Sequence, residues 1–285
     1  MDSKQTDTKS VGSKESINRR KVHYEDRGTG KTLVLLHGWG FDHTSWIPVM
    51  DRLTHRYRLI AVDIRGNGRS QKSTLPYTMQ DLSNDLFEFI SGLSLNEPPI
   101  LVGHSLGGMV VQQLAVDHPE VAEKLIVLDS DLNGPAAVRH FMMAIAHLSA
   151  GIMRATGSWM GIKRSMRLYQ KVLSQVAYSK AWRKENRGLL KEAAAQFEKN
   201  SERELVWSLL AYASRPDLSQ DLQKLSCPTL LVRGSKDLIM TQSKMEALSR
   251  AIPKSRLLVI PGAGHMVVVE QPDSIASVID SFVQE

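Results

Sequence analysis

Ser105 stands in Gly103-His104-Ser105-Leu106-Gly107, a G-x-S-x-G spacing. A serine hydroxyl is a poor nucleophile until a base takes its proton and a third group holds that base in the right tautomer. Two later residues can supply these parts. Asp237 lies in Arg233-Gly234-Ser235-Lys236-Asp237, and His265 in Pro261-Gly262-Ala263-Gly264-His265. Serine, then acid, then histidine is the order expected after a serine held in a strand-to-helix elbow. Such a set transfers an acyl group first to Ser105 and then to water, and this chemistry calls for no cofactor and no metal. The oxyanion that forms on the way needs two N–H donors. The backbone N–H of Leu106, directly after the serine, is one candidate. Trp39 is the other, in His37-Gly38-Trp39-Gly40, where flanking glycines let its peptide turn toward the site. Asp129 competes with Asp237 for the acid's place. Other polar neighbours read as structural: His37 orders its loop, Asp63 and Arg65 pin a glycine loop, and His104 points away from Ser105 and packs.

These residues can meet only if the fold brings them to one edge. Thr32–Leu36, Tyr57–Val62, Ile100–Val102, Leu125–Leu128, Thr229–Val232 and Leu257–Ile260 are continuous apolar runs of strand length. That pattern marks strands buried on both faces. Helical spacing fills the intervals at Trp46–Leu53, Thr78–Leu93, Leu106–Asp117, Met245–Ile252 and Ser274–Val283. Strands alternating with helices predict an α/β fold, a mostly parallel central sheet with helices on both faces. Ligands of such sheets bind beyond the carboxyl ends of the strands. His37, Ser105, Asp129, Asp237 and His265 each follow a strand, so they are expected on one rim.

The alternation stops between about Asn133 and Leu222. The reading is therefore a core at 22–132 and 223–285, an inserted helical cap (a lid) at 133–222, and a disordered polar tail at 1–21. Within the cap, Met142, Ile145 and Met166 are candidates to line an acyl pocket, methionine being adaptable in that role. The cap is also basic between residues 154 and 199, where Arg154, Lys163, Arg164, Arg167, Lys171, Lys180, Arg183, Lys184, Arg187, Lys191 and Lys199 face only Glu185, Glu192 and Glu198.

The 285 residues are 42% hydrophobic and 23% charged, enough to bury a sizeable core. No apolar run reaches the ~20 residues that span a bilayer, and the first residues lack the apolar stretch of a secretory signal. The single Cys227 excludes a disulfide within the chain. A cytoplasmic protein without a membrane partner is expected. The net charge of +6 raises nucleic acid as a partner, but Met1–Lys21 holds six basic and three acidic residues, half of that excess. No zinc-ligand spacing or basic-aromatic stripe accompanies it, so nucleic-acid binding is not expected.

Together, His37-Gly38-Trp39-Gly40, Asp63 to Ser70, Gly103 to Gly107, Gly234 to Asp237 and Gly262 to His265 resemble the α/β-hydrolase fold superfamily. The likeness runs from about Val22 to the C-terminus and is weak in the cap. Within that superfamily the chain is similar to the small cap-bearing serine carboxylesterases, lactonases and carbon–carbon bond hydrolases. The resemblance implies Ser105 as nucleophile, His265 as base and Asp237 as acid, with a small-molecule acyl substrate. Haloalkane dehalogenases and epoxide hydrolases carry an aspartate where this chain has Ser105, and Trp39 and Gly40 replace two glycines of the lipase-type H-G-G-G. Other members leave further readings open. Pimeloyl-carrier-protein methyl esterases would match the basic cap to an acyl carrier protein, cofactor-free haloperoxidases use the same triad for peracids, and hydrolase-fold receptors bind more than they turn over.

Overall fold

A computed structural model describes residues 21–131, 144, 170, 171 and 173–285. The strands are β1 (Tyr24–Arg27), β2 (Thr32–Leu36), β3 (Arg58–Val62), β4 (Ile100–His104), β5 (Lys124–Leu128), β6 (Thr229–Gly234) and β7 (Ser255–Ile260). They form one sheet in the order β1-β3-β2-β4-β5-β6-β7. Only β1 runs antiparallel to its neighbour. The helices are α1 (Ile47–Leu53), α2 (Met79–Gly92), α3 (Leu106–Asp117), α4 (Lys180–Glu185), α5 (Arg187–Glu198), α6 (Glu202–Ala213), α7 (Gln242–Ala251), α8 (Val267–Glu270) and α9 (Pro272–Gln284). Among the described residues no helix is long and apolar enough to cross a membrane.

The apolar runs are buried because both faces of the sheet are covered. Side chains alternate across a strand. Val34, Leu36, Leu101, Val127 and Leu231 join the core under α2, α3 and α7. Leu33, Leu35, Val102, Ile126 and Val232 join the opposite core, under α1 and α9. Helix α2 starts where the sequence provides a capping box, with Thr78 and Asp81 each bonding the other's backbone N–H. The two edge strands are the exceptions to full burial, with Asp26 of β1 and Arg256 and Val259 of β7 exposed.

Chain order and sheet order together locate the crevice. From β2 the chain crosses to β3 on one side and then to β4 on the other. The sheet therefore has its switch point between β2 and β4, where the loops beyond the strand ends diverge. His37 to Asp42 and Ser105 occupy those two loops.

Between β5 and β6 the described residues contain helix and no strand. Val206, Trp207, Leu209 and Ala211 of α6 join the core that contains α2 and α3. The two ends of this stretch are tied together, since Arg215 donates to the Asp131 carbonyl at 2.8 Å and to Gln112 Oε1 at 3.2 Å. Met142, Ile145 and Met166 lie outside the described residues, as does the tail before Lys21. Lys21 itself donates its backbone N–H to Gln71 Oε1 at 3.2 Å and accepts from the Gln71 N–H at 2.9 Å.

Candidate active site

Strand β4 ends at His104 and α3 begins at Leu106, so Ser105 alone must reverse the chain. It does so at φ 50 and ψ −113, in the left-handed half of backbone space that costs a non-glycine residue energy. Its N–H donates to the Leu128 carbonyl of β5 at 2.9 Å. The flanking glycines are required by contact. A Cβ on Gly103 would lie 2.4 Å from the Gly107 carbonyl oxygen, and one on Gly107 would lie 2.5 Å from that of Leu36. The spacing seen in the sequence is thus a packing requirement of strand, turn and helix.

The three residues predicted from separate strand ends come together. Ser105 Oγ lies 3.0 Å from His265 Nε2, and His265 Nδ1 lies 2.8 Å from Asp237 Oδ2. The tautomer this geometry favours donates Nδ1–H to the carboxylate and leaves Nε2 to accept the serine proton. Asp237 is buried, and its Oδ1 accepts the N–H groups of Ile239 at 2.7 Å and Met240 at 2.9 Å. Burial alone would raise its carboxyl, but His265 and the Met240 N–H outweigh that and hold it below its ordinary value.

Leu106 is the first residue of α3, so its N–H has no partner within the helix and faces the same end as Ser105. The loop carrying Trp39 passes tightly over the elbow: a Cβ on Gly38 would meet His104 Nδ1 at 2.9 Å and Ser105 Cβ at 3.3 Å. The Trp39 side chain turns away from the sheet. Its indole N–H reaches Ser208 Oγ at 2.8 Å and the Leu205 carbonyl at 3.1 Å, and its ring meets Phe197 edge-on. Asn200 also donates to the Gly40 carbonyl at 2.7 Å. Helices α5 and α6 therefore grip the loop that carries Trp39, a role the sequence did not signal.

The residues read as structural have identifiable tasks. His37 is buried, donating from Nδ1 to the Gly38 carbonyl at 2.8 Å and accepting the Ile64 N–H at Nε2, 3.0 Å away. Asp63 accepts the N–H groups of His43 and Arg69 and the His43 ring. Arg65 pairs with Asp85. His104 does more than pack. Its Nε2–H donates to the carbonyl of His265 at 2.8 Å, and burial pushes its own pKa down to about 3, so it is a neutral strut under His265.

Two further contacts hold the His265 loop. Glu270 accepts the Gly264 N–H at 3.0 Å and the Ser179 N–H at 3.2 Å, and the Met266 N–H donates to the Ala177 carbonyl at 3.0 Å. No sequence pattern marked Glu270. Its carboxylate joins the loop after β7 to the stretch before α4.

Comparison with known proteins gives the family. Residues 31–272 match the family model described as the alpha/beta hydrolase fold. The chain belongs to the α/β-hydrolase fold family. It is 30% identical to the pimeloyl-[acyl-carrier protein] methyl ester esterase of Aeromonas hydrophila, over 92% of this chain and 99% of that protein. Among solved structures it is similar to a thermophilic esterase from Thermogutta terrifontis, at 27% identity and TM-score 0.81, covering 93% of each chain. The enol-lactonase of Burkholderia xenovorans shares the fold at TM-score 0.81 and 21% identity, over 94% of this chain and 98% of that one. This α/β hydrolase is thus related along most of its length to proteins named as esterases.

Proposed function

We propose that the protein is a serine hydrolase of carboxylic esters or similar small acyl compounds, acting through Ser105, His265 and Asp237. The single observation that carries this reading is the 3.0 Å approach of His265 Nε2 to Ser105 Oγ, with Asp237 at 2.8 Å on the other ring nitrogen. In the proposed reaction Ser105 Oγ attacks the carbonyl carbon as its proton passes to His265 Nε2. The oxyanion meets the backbone N–H groups of Leu106 and Trp39. Collapse breaks the bond to the alcohol, which takes the proton from His265. Water then gives a proton to His265 and attacks the acyl-enzyme, releasing the acid and restoring Ser105. Asp237 accepts the Nδ1–H throughout and stabilises the imidazolium.

We further propose 133–222 as a lid over the site, with Met142, Ile145 and Met166 toward the acyl group. The grip of α5 and α6 on the Trp39 loop supports a lid that is coupled to catalysis. The similarity to the carrier-protein methyl ester esterase favours one second reading, an acyl group delivered on an acidic carrier. Exposed Lys180, Lys184, Arg187 and Lys191 would meet such a partner. Hydrolysis of nitrophenyl esters from acetate to dodecanoate tests the main reading. It is expected in the native protein, with loss of at least about a thousandfold in Ser105→Ala. Equal turnover by the variant would overturn it. For the carrier reading, Lys184→Glu with Lys191→Glu should weaken turnover of a carrier-bound ester and spare a small neutral one.

A further inference from the structure

The triad leaves one buried acid at the site unused. Asp129 follows β5 as Asp237 follows β6, and it has no exposed surface. An oxygen of Asp129, an oxygen of Asp237 and a ring nitrogen of His265 lie within 4.8 Å of one another. Asp129 Oδ1 accepts the Gly234 N–H at 2.9 Å. Its Oδ2 is buried and finds no donor among the described residues. Asp129 also sits at φ 44; with Ser94 and Ser105 it makes up the non-glycine residues of positive φ among those described. Its N–H is fixed to the Val232 carbonyl at 2.8 Å, so the strain is imposed by the sheet and aims the side chain at the acid.

Two carboxylates cannot both stay ionised in such a place, and a buried carboxylate oxygen without a donor is costly. One proton resolves both problems. Resting on the triad reading, we propose that Asp129 is a positioning residue of this site: its carboxyl keeps a proton on Oδ2 and donates it to Asp237, steadying the acid that orients His265. The charges that face Asp129 agree. Burial and Asp237 favour its neutral form, against the Gly234 N–H and the Arg233 guanidinium, and Asp237 is in turn held ionised by His265. Asp237 thus takes the charged role and Asp129 the neutral one, which also explains why two strand-end aspartates compete in the sequence.

Substitution separates this from a merely structural role. Asp129→Asn keeps an acceptor for Gly234 and an N–H for Asp237, and asparagine tolerates the left-handed conformation. Asp129→Gly removes the group without backbone strain. The Asn variant should keep kcat/KM for a nitrophenyl ester within about threefold, while the Gly variant falls roughly ten- to thirtyfold, mainly in kcat. The alkaline limb that wild type shows when Asp129 loses its proton should disappear in the Asn variant. Independently of turnover, the infrared difference between wild type and Asp129→Asn at neutral pH should contain the carbonyl stretch of a protonated carboxylic acid. An Asn variant as damaged as the Gly variant, two undamaged variants, or no acid band would overturn the proposal. Ester hydrolysis that survives Ser105→Ala would instead overturn the triad reading, while the infrared band still reports whether the proton is there.

Discussion

Asp63→Asn is expected to destabilise the fold in a pH-dependent way whose size follows from the local geometry. Asp63 is fully buried after β3 and accepts from the His43 N–H at 2.7 Å, the His43 ring at 2.8 Å and the Arg69 N–H at 2.8 Å. Burial opposes its charge, but these bonds prevail and lower it from 3.8 to about 2. That difference corresponds to about 2 kcal/mol of stability in the ionised form. Because the folded value is depressed, this contribution is present above about pH 4 and is lost as pH falls through about 2. The partner behaves in the opposite sense. The hydrogen bond to Asp63 raises His43 above 6.5, so its share is full below that pH and is lost as pH rises through the folded value. An asparagine keeps one acceptor and turns an N–H toward the Arg69 N–H, so it forfeits both shares. Urea denaturation of wild type and Asp63→Asn across pH 2 to 9 should show the gap widest near about pH 5 to 6, at about 2–4 kcal/mol. It should narrow toward pH 2 and shrink in part above pH 7. A gap that is the same at every pH would refute the reasoning, because the loss would then be one of packing and not of a stabilised charge.

Three further outcomes follow from contacts around the site. Gly40→Ala places a Cβ at φ 76 and 2.4 Å from the Phe197 ring, so it should loosen α5 from the Trp39 loop and lower kcat at least tenfold; a stopped-flow ester assay checks this. His104→Ala leaves the buried His265 carbonyl without its donor, costing about 1–3 kcal/mol in urea denaturation and lowering kcat. Wild-type His104 should show no NMR titration between pH 4 and 9, since its pKa is about 3. Arg215→Met removes the buried guanidinium 3.7 Å from the Asp131 carboxylate and its bond to the Asp131 carbonyl, leaving Lys244, also 3.7 Å away, as the remaining cation; a loss of about 3 kcal/mol is expected on thermal or chemical unfolding.

Elements whose signal is local are legible in the sequence. The apolar runs and the helix Leu106–Asp117 appear where their patterns put them, and the G-x-S-x-G spacing reflects contacts between residues close in sequence. Ser105, Asp237 and His265 can be named because each follows its own strand and parallel strands share one carboxyl edge. What stays hidden depends on sequence-distant partners. His104 reads as core until its ring is seen 2.8 Å from the His265 carbonyl, and Trp39 reads only as a backbone N–H donor until its indole is seen on Ser208 of α6. The pairing of Asp129 with Asp237 follows from the β5–β6 register, in which Leu128 lies opposite Val232, and strand length alone does not give register. The short α8, Val267–Glu270, is rich in β-branched residues and gives no helical period. Its Glu270 matters through Ser179, which lies on another part of the chain.

The central claim is that Ser105 carries the acyl group. Acid-quenching the protein during turnover of a slowly hydrolysed nitrophenyl ester, then mapping the acyl mass by peptide mass spectrometry, tests it most directly. The expected result is one acyl group on the peptide containing Ser105, no label in Ser105→Ala, and slow labelling in His265→Ala. An acyl group on another residue, or full turnover with no covalent intermediate and no dependence on Ser105, would contradict it.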